Sequence, residues 1–345
     1  MKKPLKITLI TVSIILALII IAVTTFTILN SMGRLQFHKN DRNIKNNSVT
    51  EEEYGILYKG NKYALDNDVI SFLLIGVDKS SLDSSLGIGI NGQADTLMVV
   101  AINTKSRDVT VIPISRETLV DVNNYNTAGK YVGVEKKQIC LAFAYGKTTE
   151  ESSENVLRSV SRALYGINVS SYITMDLNAL EKISNAVGSI DVYVNEDYYD
   201  PDSRIYYKAG RTISVKGINA VNYIHWRTDN VDANNYRMER QKSFMTAFVN
   251  KTSNEISEDY SKVITYYNLM APYVSTNITL SQATYLVNSC IKLNLGDSLD
   301  FESIPGTSFV RSGYSAFTPN EETLTDIIVK TFYKKIVEQK TEKEK

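Results

Sequence analysis

The stretch ISFLLIGVD, residues 70–78, is a run of apolar residues that ends in the carboxylate of Asp78. A short apolar run that contains β-branched residues and is bounded by polar ones is typical of a buried strand. We therefore predict a strand over residues 70–77. A carboxylate at the end of a buried strand is in a common position for chemistry, so Asp78 is a candidate functional residue.

Two further apolar stretches follow, residues 96–103 and 108–114, and the polar sequence TKSR separates them. Two such stretches around a short polar turn predict a β-hairpin. Asp95 precedes the first predicted strand and Arg116 follows the second. Because the strands of a hairpin are antiparallel, we expect Asp95 and Arg116 to lie at the same end of it.

Much of the remaining chain shows apolar residues at helical spacing. The predicted helices cover residues 151–165, 177–187, 216–227, 237–250, 255–273, 281–293 and 321–340, and a short strand covers residues 190–194. A chain of this length, with strands and helices interspersed, is consistent with one large α/β domain.

An uncharged N-terminal segment, residues 7–29, predicts a transmembrane helix, because roughly 20 apolar residues cross the hydrocarbon core of a bilayer. Lysines at positions 2, 3 and 6 precede it, and a short basic N-terminus tends to stay in the cytoplasm. The alternative is a cleaved signal peptide, whose apolar region is usually only about 7–15 residues long and ends in small residues. This segment lacks that ending, so we predict an uncleaved anchor.

The anchor divides the chain into five predicted parts. They are a cytoplasmic tail (1–6), the transmembrane anchor (7–29), a juxtamembrane linker and lead-in (30–67), an extracytoplasmic domain (68–335) and a charged tail (336–345). We therefore expect a single-pass protein of the cell membrane with its N-terminus in the cytoplasm and its domain outside.

The composition excludes several classes of site. The chain has 38 basic and 38 acidic side chains, so no basic excess indicates a nucleic-acid-binding surface. Its two cysteines, Cys140 and Cys290, are too few for a disulfide scaffold or a cysteine zinc site. Outside the cytoplasm they could form one bridge, although two buried free thiols fit the usual behaviour of cysteine better. The two histidines are too few for histidine-rich metal chemistry.

The segment RMERQ, residues 237–241, is a candidate phosphate site. On a helix, Arg237, Arg240 and Gln241 share one face because they are three and four residues apart. Grouped guanidinium groups suit phosphate or diphosphate, since each presents a fork of donors to paired oxygens. The alternative is a solvated helix face on which Glu239 pairs with the arginines.

Asp78 and Asp95 could supply the acidic half of such a site. Two carboxylates with bridging waters commonly hold Mg²⁺ against a diphosphate, because this ion prefers hard oxygen ligands. The alternative is that both aspartates only form turns. The choice between these readings depends on whether the arginines converge on the aspartates.

Five short motifs resemble, in order, those of the LytR-CpsA-Psr family of bacterial cell-wall proteins. They are LIGVD (74–78), ADTLM (94–98), ISRET (114–118), AFAYG (142–146) and RMERQ (237–241). The resemblance implies an α/β domain with a central mixed sheet flanked by helices, preceded by one transmembrane helix. It also implies a long apolar groove for a polyprenyl tail.

The resemblance further implies a phosphotransferase. Members of the family attach a glycopolymer of the teichoic acid or capsule type, carried on undecaprenyl diphosphate, to peptidoglycan, using Mg²⁺ or Mn²⁺. The implied catalytic residues are Asp95, Arg116, Arg237 and Asp232; the implied substrate-binding residues are Arg227, Arg240, Gln241, His225 and Gln93; the implied metal ligands are Asp78 and Asp95. These groups would stabilise charge on a transferring phosphoryl group.

Several positions depart from the family pattern. Gln93 and His225 stand where the family usually has arginine, Glu117 where it has aspartate, and Cys140 where it has asparagine. Asn234 stands where the family has a carboxylate that could act as general base.

Three functions remain open at this point. An active phosphotransferase is favoured because the four arginines and both metal aspartates match. A protein of the same fold that binds lipid-linked polymer or a cell-envelope partner without turnover is the alternative. An adhesin or sensor domain would explain the anchor and the many tyrosines, but not the ordered motifs.

Overall fold

Seventeen strands and eight α-helices make up the described parts of the computed structural model, which are residues 24–25, 27–37, 55–79, 81–82, 87–226, 233–259, 261–291 and 299–336. The strands are β1 (Ile56–Tyr58), β2 (Asn61–Leu65), β3 (Val69–Val77), β4 (Ala94–Asn103), β5 (Val109–Pro113), β6 (Leu119–Tyr125), β7 (Tyr131–Gln138), β8 (Ser171–Met175), β9 (Ile190–Val194), β10 (Tyr198–Asp200), β11 (Ile205–Tyr207), β12 (Arg211–Val215), β13 (Val274–Thr276), β14 (Leu299–Phe301), β15 (Gly306–Arg311), β16 (Tyr314–Pro319) and β17 (Tyr333–Lys335). The helices are α1 (residues 24–25 and 27–37), α2 (Thr149–Ala163), α3 (Leu177–Val187), α4 (Ile218–His225), α5 (Ala233–Glu258), α6 (Ser261–Met270), α7 (Leu280–Ile291) and α8 (Glu321–Phe332). Two 3₁₀ segments, Ile139–Tyr145 and Ala271–Tyr273, complete the described elements.

A mixed six-stranded sheet forms the centre, with strand order β13-β8-β3-β4-β5-β14. Strand β3 pairs antiparallel with β4 and parallel with β8, and β14 pairs parallel with β5. The predicted hairpin is confirmed, because β4 and β5 pair antiparallel from Met98 opposite Pro113 to Ile102 opposite Val109. The predicted mixed α/β architecture is confirmed as well.

The two faces of the sheet are both covered, which explains why β3 and β4 are apolar almost throughout. On one face Leu73, Ile75 and Val99 pack with Phe143 of the 3₁₀ segment and with helices α2 and α8. On the other face Met98 and Val100 pack with Phe37 of α1 and Tyr285 of α7. Strands buried on both faces lose the alternating pattern of half-exposed strands.

A smaller apolar cluster lies beside the sheet. Strands β9 and β12 form a two-stranded ribbon, and their inward residues pack against α3, α4 and α5. Tyr198 of β10 is fully buried there and contacts Tyr207, Tyr223 and Trp226 with its ring. Helix α5 contacts both the smaller cluster and the central sheet, since Phe244 packs in the cluster and Met245 packs against the sheet.

Four predicted helices differ clearly in extent from the observed ones, and one of them, predicted over residues 216–227, is the shorter α4 (Ile218–His225). The helix predicted over residues 237–250 extends over Ala233–Glu258. The segment predicted as helical over residues 255–273 contains the end of α5, the shorter α6 and a 3₁₀ turn. The last helix, predicted to reach residue 340, ends at Phe332, because Tyr333–Lys335 pairs instead with β2. The backbone groups of residues 333–335 form hydrogen bonds with the edge of β2 instead of continuing the helix.

The predicted anchor falls mostly outside the described residues, as do the tail 1–6 and residues 337–345 of the charged tail. Within the described part of the chain, no helix is both long and apolar enough to cross a membrane. The anchor therefore stays a prediction.

Replacing Phe143 by Ala tests the core beneath the sheet. Phe143 has no exposed surface, so we expect Phe143→Ala to lower the free energy of unfolding by about 3–5 kcal/mol in chemical denaturation. Tyr131, which is 52% exposed on β7, provides the control, and Tyr131→Ala should change that free energy by no more than about 0.5 kcal/mol. Equal effects of the two changes would contradict this description of the core.

Candidate active site

A β-bulge at the start of β4 places Asp95 in the site. Gly76 of β3 pairs with Thr96 and Val77 pairs with Ala94, so Asp95 is the extra residue at which the strand register shifts. Bulges redirect a side chain and are frequent beside active sites. Asp95 is only 7% exposed. A carboxylate buried to this degree needs compensating charge or hydrogen bonds.

Arg116 supplies one of those charges. Its Nη1 lies 2.8 Å from Oδ1 of Asp95, and its Nη2 donates to Oε1 of Gln93. The same Nη2 lies 3.6 Å from Sγ of Cys140. The sequence prediction that Asp95 and Arg116 meet at one end of the hairpin is confirmed.

Cys140 is a buried free thiol beside Arg116. Burial raises the pKa of this thiol, and the nearby guanidinium offsets the rise only in part. Its role here is therefore that of a neutral contact for Arg116. The thiol is not the anionic form that reacts as a nucleophile.

Helix α5 brings a second guanidinium to Asp95. Nη1 of Arg237 lies 3.7 Å from Oδ2 of Asp95, and Nη2 donates to the Asp95 carbonyl oxygen at 3.0 Å. Nη2 also donates to Oδ1 of Asn234 at 2.7 Å, and Nδ2 of Asn234 donates to Oγ of Ser115 at 2.8 Å. Asn234 thus links Arg237 to the loop that carries Arg116. These side chains are almost fully buried.

Arg240 lies elsewhere, although it is only three residues from Arg237. Its Nε donates to the carbonyl oxygen of Tyr223 at 2.9 Å, its Nη2 to that of Trp226, and its Nη1 pairs with Glu196. The guanidinium also lies over the Trp226 ring, 5.1 Å from its centre. Burial lowers the pKa of Arg240 to about 10, which leaves it cationic near neutral pH. All of these partners are structural, and Arg240 is 1% exposed.

An apolar cavity lies next to the aspartate–arginine cluster. It has a volume of about 100 Å³ and lies between the sheet and helices α3, α4 and α5. Leu74, Met98, Leu180, Phe244 and Met245 contribute to its apolar wall. Its polar rim includes Thr96, His225 and Gln241, where Nε2 of Gln241 donates to Oγ1 of Thr96 at 2.8 Å.

Asp78 is the exposed neighbour of this cluster. It directly follows β3, whose last residue pairs with Ala94, so Asp78 and Asp95 lie at the same end of the β3–β4 pair. Among the described residues, no group of three or more His, Cys, Asp or Glu side chains could hold a metal ion. Two hard carboxylates at one sheet end nevertheless fit Mg²⁺, which keeps several waters and takes substrate oxygens as ligands. Arg227 and Asp232, predicted to bind phosphate and to act in catalysis, lie outside the described residues.

Sequence reasoning assigned no role to Ser115 or Glu196, although both contact predicted site residues. Ser115 could have been noticed because it precedes Arg116. Glu196 carried no signal, since its contact with Arg240 joins positions 44 residues apart. Together the described residues form a buried carboxylate between two guanidinium groups, next to an apolar cavity. Such an arrangement can bind a diphosphate and stabilise negative charge that develops on it.

Comparison with known proteins agrees with this chemistry. The model of the LytR_cpsA_psr family matches residues 28–332. The polyisoprenyl-teichoic acid–peptidoglycan teichoic acid transferase TagV of Bacillus subtilis (strain 168) is 27% identical over 253 residues, which are 69% of this chain and 59% of TagV. The enzyme of the same class called TagU, from Enterococcus faecalis, is 24% identical over 277 residues, which are 76% of this chain and 78% of TagU.

Solved structures share the fold. The crystal structure of B. subtilis TagV has a TM-score of 0.60 at 23% identity and covers 76% of this chain and 95% of that chain. The structure of TagT bound to LIIa-WTA has a TM-score of 0.55 at 20% identity, covering 76% of this chain and 89% of that chain.

Replacing Arg240 tests whether its role is structural. Arg240→Met removes the charge and leaves Glu196 without its partner, so we expect the free energy of unfolding to fall by about 3–5 kcal/mol. The double change Arg240→Met with Glu196→Leu should recover part of this loss, because neither charge is then buried alone. Arg211→Met on the exposed part of β12 serves as the control in the same denaturation series. Unchanged stability in Arg240→Met would contradict the structural role.

Proposed function

This chain belongs to the LytR_cpsA_psr family, and from that membership we propose that it is a phosphotransferase that attaches a glycopolymer to peptidoglycan. The polymer would be of the teichoic acid or capsule type and would arrive on an undecaprenyl diphosphate carrier. The names of TagV and TagU support the teichoic acid class. The observation that carries the proposal is the buried Asp95 carboxylate between the guanidinium groups of Arg116 and Arg237.

The proposed reaction transfers one phosphoryl group. A hydroxyl oxygen of the acceptor sugar forms a bond to the phosphorus that carries the glycopolymer. The bond from that phosphorus to the oxygen bridging the diphosphate breaks, and undecaprenyl phosphate leaves with the bonding electron pair. The hydroxyl proton passes to a base. Arg116 and Arg237 would bind the diphosphate oxygens and stabilise the charge on the leaving phosphate.

Asp78 and Asp95 would hold Mg²⁺ or Mn²⁺ in this proposal. The cation would offset the charge of the diphosphate when bound. In the described arrangement both carboxylate oxygens of Asp95 face guanidinium groups. Guanidinium groups prefer the paired oxygens of phosphate, so an incoming diphosphate would draw Arg116 and Arg237 toward itself and leave Asp95 to the cation.

The apolar cavity would receive the start of the polyprenyl chain. Its wall comes from leucine, methionine and phenylalanine side chains, and its polar rim adjoins the aspartate–arginine cluster. A surface adhesin has no need for an apolar cavity beside buried charges. The predicted anchor would hold the domain at the outer side of the cytoplasmic membrane, where a lipid-linked substrate is present.

Asn234 supports a second candidate function, binding of the lipid-linked polymer without turnover. It contacts Arg237 at the position where the family resemblance places a carboxylate, and an amide cannot accept a proton at neutral pH. If that carboxylate is the required base, this chain binds its substrate but does not transfer it.

Turnover of a polyprenyl-diphosphate-linked sugar by the full chain in detergent distinguishes these functions. We expect release of polyprenyl phosphate that EDTA abolishes and Mg²⁺ or Mn²⁺ restores. Arg237→Lys should reduce the rate roughly 100- to 1,000-fold, because a point charge replaces a fork of oriented donors. The control Arg211→Ala should retain the native rate. Substrate binding without release by the native chain would favour the second function.

Asn234→Asp tests the missing carboxylate directly. The new carboxylate would occupy the same position beside Arg237, so a role as general base predicts a faster transfer, by about 10-fold or more. Asn235→Asp adds the same charge at the next position of α5 and should leave the rate unchanged. If Asn234→Asp is no faster than the native chain, a different group must accept the proton.

A further inference from the structure

A polar cleft lies on a second side of α5. The residues that reach the sheet and the cluster, Asn234, Arg237 and Gln241, are spaced three and four apart. Glu239, Ser243, Thr246 and Asn250 are also spaced four, three and four apart, and they line the cleft. With 3.6 residues per turn, position 239 is rotated by about 200° from position 237, so this stripe faces away from Asp95. The cleft is therefore separate from the candidate active site.

The cleft is large enough for an oligosaccharide. Its volume is about 630 Å³, between strand β9 and helix α5. Ligand-binding clefts usually measure roughly 300–1,000 Å³. Asp191 and Tyr193, outward residues of β9, line it together with Asn195, which directly follows the strand. A strand and a long helix form its walls, which holds the lining side chains in fixed positions.

Tyr193 presents an aromatic surface in this cleft. Its side chain is 52% exposed. Its backbone is held by Ser243, whose hydroxyl oxygen accepts from the Tyr193 N–H at 3.3 Å and donates to the Tyr193 carbonyl at 3.3 Å. A tyrosine has only two side-chain torsions, so on this held backbone its ring offers an apolar face with little entropy to lose on binding, and its hydroxyl adds a polar contact. The C–H face of a sugar ring suits such a surface.

Amide side chains offer hydrogen bonds along the cleft. Asn195, Asn250 and Asn254 line the cleft. Within the described part of the chain, Oδ1 of Asn250 is buried and has no hydrogen-bond partner. Because this oxygen has no partner to lose, the amide of Asn250 can turn and present it to a donor in the cleft. Hydroxyl and acetamido groups of an amino sugar provide such donors.

The charges in the cleft are balanced. Asp191 and Glu239 are acidic, while Lys242 and Lys251 are basic. Lys251 donates to the Ser189 carbonyl, and Asp191 accepts from Ser214, so two of these charges already have neighbours. A polymer with repeated phosphates needs an excess of positive charge, which this cleft lacks. The lining therefore suits an uncharged ligand better than an anionic one.

We propose that this cleft binds a chain of N-acetylated amino sugars. The ring of Tyr193 stacks on one sugar, and Asn195, Asn250 and Asn254 bind hydroxyl and acetamido groups of different sugars along the chain. Such a chain is the backbone of the proposed acceptor, so the cleft holds the acceptor strand while transfer takes place at Asp95. That role in transfer rests on the proposed function, whereas the sugar binding does not.

Calorimetric titration of the full chain in detergent with N-acetylated chitotetraose tests the proposal. We expect saturable binding by the native chain. Tyr193→Ala and Asn250→Ala should each raise Kd by about 10-fold, equivalent to about 1.4 kcal/mol. Tyr199→Ala is the matched control, because Tyr199 is a 40% exposed tyrosine on β10 that does not line the cleft. Thermal unfolding of each variant confirms that it is folded.

The proposal would be overturned if the native chain did not bind chitotetraose, or if both cleft variants retained that binding in full. Tighter binding of a poly(glycerol phosphate) oligomer than of chitotetraose would also overturn it. Asp95→Asn separates this inference from the proposed function, since it should abolish transfer and leave chitotetraose binding unchanged. A native chain that binds chitotetraose but releases no polyprenyl phosphate would support the cleft and count against the phosphotransferase.

Discussion

The arrangement of the site depends on a carboxylate buried between two guanidinium groups. Asp95 is held out of water by the bulge in β4, and an isolated charge in that position would cost several kcal/mol. Arg116 reaches it from the loop after β5, and Arg237 reaches it from α5. Because both guanidinium groups must stay at Asp95, strand β4, the loop after β5 and helix α5 are fixed relative to one another. The edge of the apolar cavity and the position of Gln241 follow from the placement of α5.

The two arginines of α5 have different roles: Arg237 belongs to the site, whereas Arg240 holds the helix in place. Arg237 points to Asp95, whereas Arg240 joins α5 to the end of α4 through the carbonyl oxygens of Tyr223 and Trp226. Glu196 balances the charge of Arg240, and the Trp226 ring covers it. Residues three apart on a helix share a side but differ by about 60° in direction, which is enough to reach different neighbours. Arg240 thus supports Arg237 by fixing the helix that carries it.

Local sequence patterns predicted the parts of the site that lie close together in the chain. The hairpin placed Asp95 and Arg116 together because antiparallel pairing fixes which ends meet. The approach of Arg237 could not be predicted from spacing, since it depends on how α5 packs across the sheet, 142 residues from Asp95. The prediction that Arg237 and Arg240 share a helix face did not indicate that Arg240 pairs with Glu196. The end of α8 was missed for a similar reason, because its competitor, β2, is far away in sequence.

Three of the departures from the family pattern contact Arg116 or Arg237. Gln93 and Cys140 contact Arg116, and Asn234 contacts Arg237. By resemblance, Gln93 and His225 stand in place of arginines and Asn234 stands in place of a carboxylate, so the site loses two guanidinium groups and one carboxylate. Each amide still supplies an oxygen that accepts a hydrogen bond from a guanidinium group. Gln93 and Asn234 therefore keep a hydrogen-bond acceptor beside each guanidinium group, while the amide of Asn234 removes a proton acceptor.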